Sequence, residues 1–130
     1  MNKPIIPAIA LTVAVYGCSD FAEPASQDPA PIYGCYVAPQ APSITIASAG
    51  VTIEDISETA PFRYEFAKVG AILRMPFVAR FRDGQYKFDR SDDHLFRVVH
   101  TATGPTIIIA SIPDGYVKEY HRSSTNECAS

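Results

Sequence analysis

Three histidines and a few carboxylates are the side chains whose types suit acid-base or nucleophilic chemistry. His94, His100 and His121 are scattered, and no pair has the spacing of a zinc site. Ser91, Asp92, Asp93 and His94 are adjacent, but a catalytic triad is a matter of geometry, and neighbours in sequence do not make one. A solvated loop is the expectation for that run. Glu54, Asp55 and Glu58 have the types needed for a carboxylate pair that splits sugars, and an exposed acidic turn explains them as well. No nucleophile elbow, phosphate loop or dinucleotide fingerprint occurs. The expectation is no catalytic residue, no metal ligand and no cofactor.

One stretch carries a more specific pattern, VARFRDGQYKF at 78–88. Asp83-Gly84 suits a two-residue type I′ hairpin turn. That turn pairs Phe81 with Tyr86, Arg80 with Lys87 and Arg82 with Gln85. A three-residue loop would pair Phe81 with Gln85 and mix the two faces. A one-residue slip exchanges faces, so the apolar pattern selects the first register. Phe81, Tyr86 and Phe88 then face a core, and Arg80, Arg82 and Lys87 face outward. Like charges opposite each other cost tenths of a kcal/mol, so Asp83, Asp89 or an anionic ligand is expected to offset them. From 63 to 90, seven bases (Arg63, Lys68, Arg74, Arg80, Arg82, Lys87, Arg90) face three acids (Glu65, Asp83, Asp89). Paired arginines suit bidentate binding of carboxylate or phosphate.

The elements that carry these residues read as strands. No window between 33 and 130 repeats apolar residues at helical spacing; short alternating runs are cut by Gly, Pro and Asp instead. SITIAS and GVTIED form a hairpin. FRYEFAKV puts Phe62, Tyr64 and Phe66 on one face, with Arg63 and Glu65 on the other. AILRMPFVARF is strand-like, with Pro76 at an edge or bulge because it has no N–H for a ladder. YKF, LFRVV, TIIIAS and YVKEYH follow. Thr106 to Ser111 is apolar on both faces, which predicts a central strand covered on both sides. A three-residue turn at Pro113-Asp114-Gly115 would pair Ile112 with Tyr116, Ala110 with Lys118 and Ile108 with Tyr120. The fold class is all-β: a small antiparallel barrel or sandwich of about eight or nine short strands. The length suits a single domain.

The N-terminus has a different character. Met1, Asn2 and Lys3 precede an uncharged run, IIPAIALTVAVY, that ends at Gly17-Cys18. About a dozen apolar residues fall short of the ~20 that span a bilayer and match a secretory signal. Val15, Tyr16, Gly17 and Cys18 resemble the lipobox of bacterial lipoproteins. The resemblance covers residues 1–18. It implies that 1–17 is a signal peptide, that Cys18 becomes the lipidated N-terminus, and that the membrane is a partner through that anchor. Ser19 stands where lipoproteins kept at the inner membrane of enteric-type bacteria carry Asp. The implied address is therefore the bacterial cell envelope, at the outer membrane facing the periplasm. Residues 18–32, rich in Pro, Ala, Ser and acids, read as a lipidated disordered tether, and 33–130 as one all-β domain.

If Cys18 is lipidated, Cys35 and Cys128 remain. They bracket the body in an oxidising compartment and are expected to form a disulfide. The net charge of −3 belongs largely to the tether acids Asp20, Glu23 and Asp28, which leaves the body nearly balanced. That balance gives no reason to expect nucleic acid. No motif in 33–130 ties the body to a known family. The expected role is a binding or interaction module, an inhibitor or an accessory subunit, meeting an acidic protein or anionic envelope ligand. The alternative is a periplasmic hydrolase acting on glycan or peptide.

Overall fold

The computed structural model describes residues 25–124 and residue 128. The signal-like run, Cys18 and residues up to 24 lie outside the described residues. Among the described residues nine antiparallel strands form one sheet that curls into a half-barrel. They are β1 (Ala25–Ser26), β2 (Gly34–Val37), β3 (Ile44–Ala47), β4 (Gly50–Ile53), β5 (Arg63–Ala67), β6 (Gly70–Arg82), β7 (Gln85–Thr101), β8 (Gly104–Ala110) and β9 (Val117–Arg122). Their order is β1-β5-β6-β7-β8-β9-β2-β3-β4. The all-β antiparallel expectation holds.

Alternation explains most of it. Ile44, Ile46, Val51 and Ile53 bury one face of β3 and β4, joined by a two-residue turn between Ala47 and Gly50. Tyr64, Leu73, Met75, Phe77 and Ala79 do the same on β5 and β6, opposite Phe88, Phe96 and Val98 on β7. Tyr36 and Tyr120 are fully buried, and each phenol donates to a carbonyl: Tyr36 to Ile32 and Tyr120 to Pro42, both at 2.7 Å. Buried hydroxyls need such partners, since an unmade bond costs about 1–3 kcal/mol.

Four expectations need correction. First, β6 and β7 are long: 13 and 17 residues. YKF and LFRVV are two ends of one strand, and Ser91-Asp92-Asp93-His94, expected as a loop, lies inside it. The ladder steps from Met75↔His94 to Phe77↔Arg90. Pro76 alone therefore faces Ser91, Asp92 and Asp93. With no N–H to give, it sits where β7 bulges, as its chemistry requires. Asp93 is held by Arg63 at 3.3 Å.

Second, the tether expected to reach residue 32 is not free over its last part. Ala25 and Ser26 pair with Phe66 and Glu65, and Gln27 N–H donates to the Tyr64 carbonyl at 2.9 Å. A 3-10 turn at Ala30–Ile32 then buries Ile32 completely. The backbone edge of β5 and one apolar side chain supply what composition alone does not show.

Third, the β8–β9 register is shifted by one: Ile109 faces Lys118 and Ile107 faces Tyr120. Instead of a tight three-residue turn, Ser111 N–H donates to the Tyr116 carbonyl at 2.8 Å and Ser111 Oγ accepts from Tyr116 N–H at 3.1 Å. Three successive isoleucines give β8 no apolar pattern to choose a face by. Fourth, β8 is an inner strand of the sheet but is not covered on both sides: Ile107 and Ile109 are buried, Ile108 is half-buried and Ala110 is exposed.

The disulfide between Cys35 and Cys128 is present, with Cα atoms 5.6 Å apart across 93 residues of sequence. It ties the end of the chain to β2, and Cys128 Sγ lies 3.9 Å from the Ile44 carbonyl of β3.

Candidate binding surface

The tip of the β6–β7 hairpin has the register that its aromatic pattern demands. Phe81 faces Tyr86, Arg80 faces Lys87 and Arg82 faces Gln85. Asp83 (φ 54°) and Gly84 (φ 78°) occupy the two left-handed positions of the turn, which Asp-Gly tolerates and most residues do not. An aromatic buttress fixes the hairpin from beneath. The Phe81 ring lies 5.4 Å from that of Tyr86 and 5.0 Å from that of Tyr116. The Tyr86 phenol donates to the Tyr116 carbonyl, and the Lys118 ammonium sits 5.4 Å over the Tyr86 ring. Burial raises the Tyr86 phenol above its ordinary range. Such ring pairs add about 0.5–1.5 kcal/mol beyond area burial, so the outer face is carried on a rigid support.

On that outer face the three cations differ. Arg80 Nε donates to Asp89 Oδ2 at 3.1 Å. Asp89 stands opposite Val78, one step diagonally from Arg80, and it offsets the Arg80–Lys87 repulsion. The pair is well exposed, and such pairs are worth at most about 1 kcal/mol. Arg82 and Lys87 are exposed, and neither side chain makes an ion pair among the described residues. Lys87 borders a polar cleft of about 240 Å³ with Gln40, Glu54 and Asp55. The face thus presents two cations without an ion pair among the described residues and a third shared with Asp89.

The other chemical candidates are dispersed. Ser91 Oγ and His94 Nε2 are 3.2 Å apart on the bulge. His100 bonds the Tyr64 phenol at 3.1 Å, and His121 bonds Thr106 at 3.2 Å. Glu54 accepts from Ser43 N–H at 3.0 Å, while Glu58 pairs with Arg90 at 3.3 Å. Glu54 and Glu58 thus have separate partners, one before β3 and one inside β7. Among the described residues no three His, Cys, Asp or Glu side chains gather as a metal site, and no helix is long and apolar enough to cross a membrane.

Two features have no counterpart in the sequence reading. Glu65 is nearly buried on the outer face, 2.6 Å from Arg74 and 3.9 Å from Arg63. Its signal is diagonal: Arg63 and Arg74 are partners across β5–β6, one step along from Glu65. An apolar cleft also opens between β7 and β8, built from segments far apart in the chain. No family model matches the chain, and neither a curated protein nor a solved structure is similar to it.

Proposed function

We propose that this chain is a lipoprotein of the bacterial envelope, anchored through Cys18, whose β body binds an acidic partner surface. The observation that carries the binding role is the buttressed hairpin, which holds Arg82 and Lys87 outward with no counter-ion among the described residues. The buttress fixes the backbone that carries these charges, so binding need not order the hairpin itself, and only the side chains lose freedom. The lipobox-like Val15-Tyr16-Gly17-Cys18 supports the anchor. Two or more acyl chains hold a protein firmly where one holds it marginally.

Two experiments test the reading. Cys18→Ser abolishes incorporation of labelled palmitate and releases the protein from the membrane fraction. Equal labelling of wild type and variant refutes the anchor. For the surface, poly-L-glutamate serves as a model acidic polymer. The Arg82→Ala/Lys87→Ala variant binds it about tenfold more weakly, as expected for two lost charge-assisted contacts of modest strength. Wild-type binding falls as salt rises beyond 0.1 M, where screening acts over ~10 Å. Stability changes by ~0.5 kcal/mol or less, as is usual for exposed positions. Arg82→Lys restores part of the binding, because Lys keeps the charge and lacks the planar fork. Equal affinity of all three proteins makes the hairpin ordinary solvated surface. Capture from envelope extract with the acylated protein then identifies the natural partner.

A further inference from the structure

The β7–β8 ladder runs from Thr101↔Gly104 to Arg97↔Ile108 and stops there, although both strands continue. Beyond that point the chain after β8 leaves β7 and turns to β6, where Ile112 N–H donates to the Ala79 carbonyl at 2.8 Å. The splay opens a cleft of about 320 Å³ on the outer side of the sheet. Val78, Leu95, Ile108, Ala110 and Ile112 dominate its lining, with Arg97 on one wall. Leu95 is 52% exposed and Ile112 is 40% exposed. Apolar side chains this open, gathered from three elements, mark a place that something covers.

Two observations say what kind of occupant. The first is the rim. Cross-strand pairing sets Arg74 beside Leu95, Asp89 beside Val78 and Glu119 beside Ile108 on the same outer face. The apolar strip is therefore narrow and fenced by charge, whereas a stable protein interface takes ~800 Å² from each partner. The second is charge. Arg97 lines the cleft, and its side chain makes no ion pair or hydrogen bond among the described residues. A small pocket that is mostly apolar, with one or two polar groups to fix orientation, is the usual form of a small-molecule site, and ~300 Å³ is its lower size limit.

We propose that this cleft binds a single-chain anionic amphiphile, with the hydrocarbon chain against Leu95, Ile108 and Ile112 and the carboxylate head on Arg97. Burying methylenes supplies the affinity, at about 0.8 kcal/mol each, and the guanidinium sets the direction of the chain. Arg82 and Lys87 do not line the cleft, so this proposal stands independently of the cationic hairpin.

Decanoate, below its self-association concentration, is the probe. The protein is the full chain carrying Cys18→Ser. Calorimetry is expected to show one saturable site, with amide shifts in NMR at 78, 95, 108, 110 and 112. Leu95→Asp weakens binding at least tenfold. Ile112→Ser does the same and serves if Leu95→Asp does not fold. Arg97→Gln weakens decanoate about tenfold and leaves 1-decanol unchanged. Butyrate, a head with almost no chain, does not bind. The Arg82→Ala/Lys87→Ala variant keeps full decanoate affinity, so loss of the hairpin reading and loss of this one are told apart. Absence of saturable binding overturns the proposal, as does binding insensitive to Leu95 and Arg97. A ligand-free dimer that disappears in Leu95→Asp assigns the cleft to a second copy, and overturns it too.

Discussion

Replacing Cys35 and Cys128 together by serine lowers the unfolding free energy by about 4–5 kcal/mol, the chain-entropy value for a loop of this length. The bridge closes 93 residues of sequence. A body of this size has a net stability of about 5–15 kcal/mol, so the loss is a large share of the whole. The site makes the effect local as well as entropic. Cys35 stands on β2 beside Tyr36, which faces Arg122 of β9, and Arg122 in turn donates to the Pro31 carbonyl at 2.9 Å. Urea unfolding of oxidised, reduced and doubly substituted protein measures it. The reduced and substituted proteins should coincide at a lower midpoint. Their m-value should rise, because an uncrosslinked chain expands further when it unfolds. A midpoint unmoved by reduction would show that the bridge adds nothing.

Alkaline pH unfolds this protein through two tyrosines. Tyr36 and Tyr120 are fully buried. Burial is the first cause of the rise in both phenols. Tyr36 is pushed up to about 12 although the positive charge of Arg122 pulls it back, and Tyr120 rises further, helped by the negative charge of Asp55. In the unfolded chain both ionise near pH 10. The folded state holds its protons longer than the unfolded one, so the stabilisation is complete below pH 10. It is lost as pH climbs through 10 towards 12 and beyond. Each tyrosine removes up to about 1.4 kcal/mol per pH unit in that window, and Tyr36 alone accounts for about 2 kcal/mol by pH 12. Tyr36→Phe costs about 1 kcal/mol at pH 7, the net worth of its bond to Ile32. It then falls less steeply with pH than wild type, and the two curves converge. Tyr120→Phe behaves alike through its bond to Pro42. Urea midpoints at half-unit steps from pH 9 to 11.5 test this. Parallel curves for wild type and both Phe variants would mean that the phenols carry none of the alkaline loss.

What the sequence discloses depends on whether side-chain type alternates. Around Asp83-Gly84 it does, so the register of Arg80 against Lys87 and Phe81 against Tyr86 is readable to the residue; for Pro76 the missing N–H narrows the place to an edge or a bulge, and the structure shows the bulge. Along Thr106–Ala110 it does not, because three isoleucines look the same in either register. Ser91 to His94 have the composition of a loop, yet β6 supplies partners on both sides of the bulge and draws them into a strand. Ala25 and Ser26 have no pattern at all. Their strand exists because β5 would otherwise present an open edge. The cationic trio was visible, but the pairing of Arg80 with Asp89 rather than Asp83 needed the diagonal geometry. The apolar cleft was out of reach, since Val78, Leu95, Arg97 and Ile112 come together only when β7 and β8 part.

The strand order has a consequence for how the chain assembles. β2-β3-β4 are sequential neighbours, and so are β5 to β9. Each run can zip from one hairpin to the next with short loops to close. The two runs meet through one ladder, β2 against β9, where Tyr36 joins Arg122 and Val37 joins His121, while β1 reaches over to β5. Contacts between such distant positions form slowly, since loop closure must precede any gain from pairing. The seam is therefore the late step of folding, and it requires the last strand of the sheet. A chain emerging from its N-terminus can hold two separate meanders but not a joined sheet until β9 arrives.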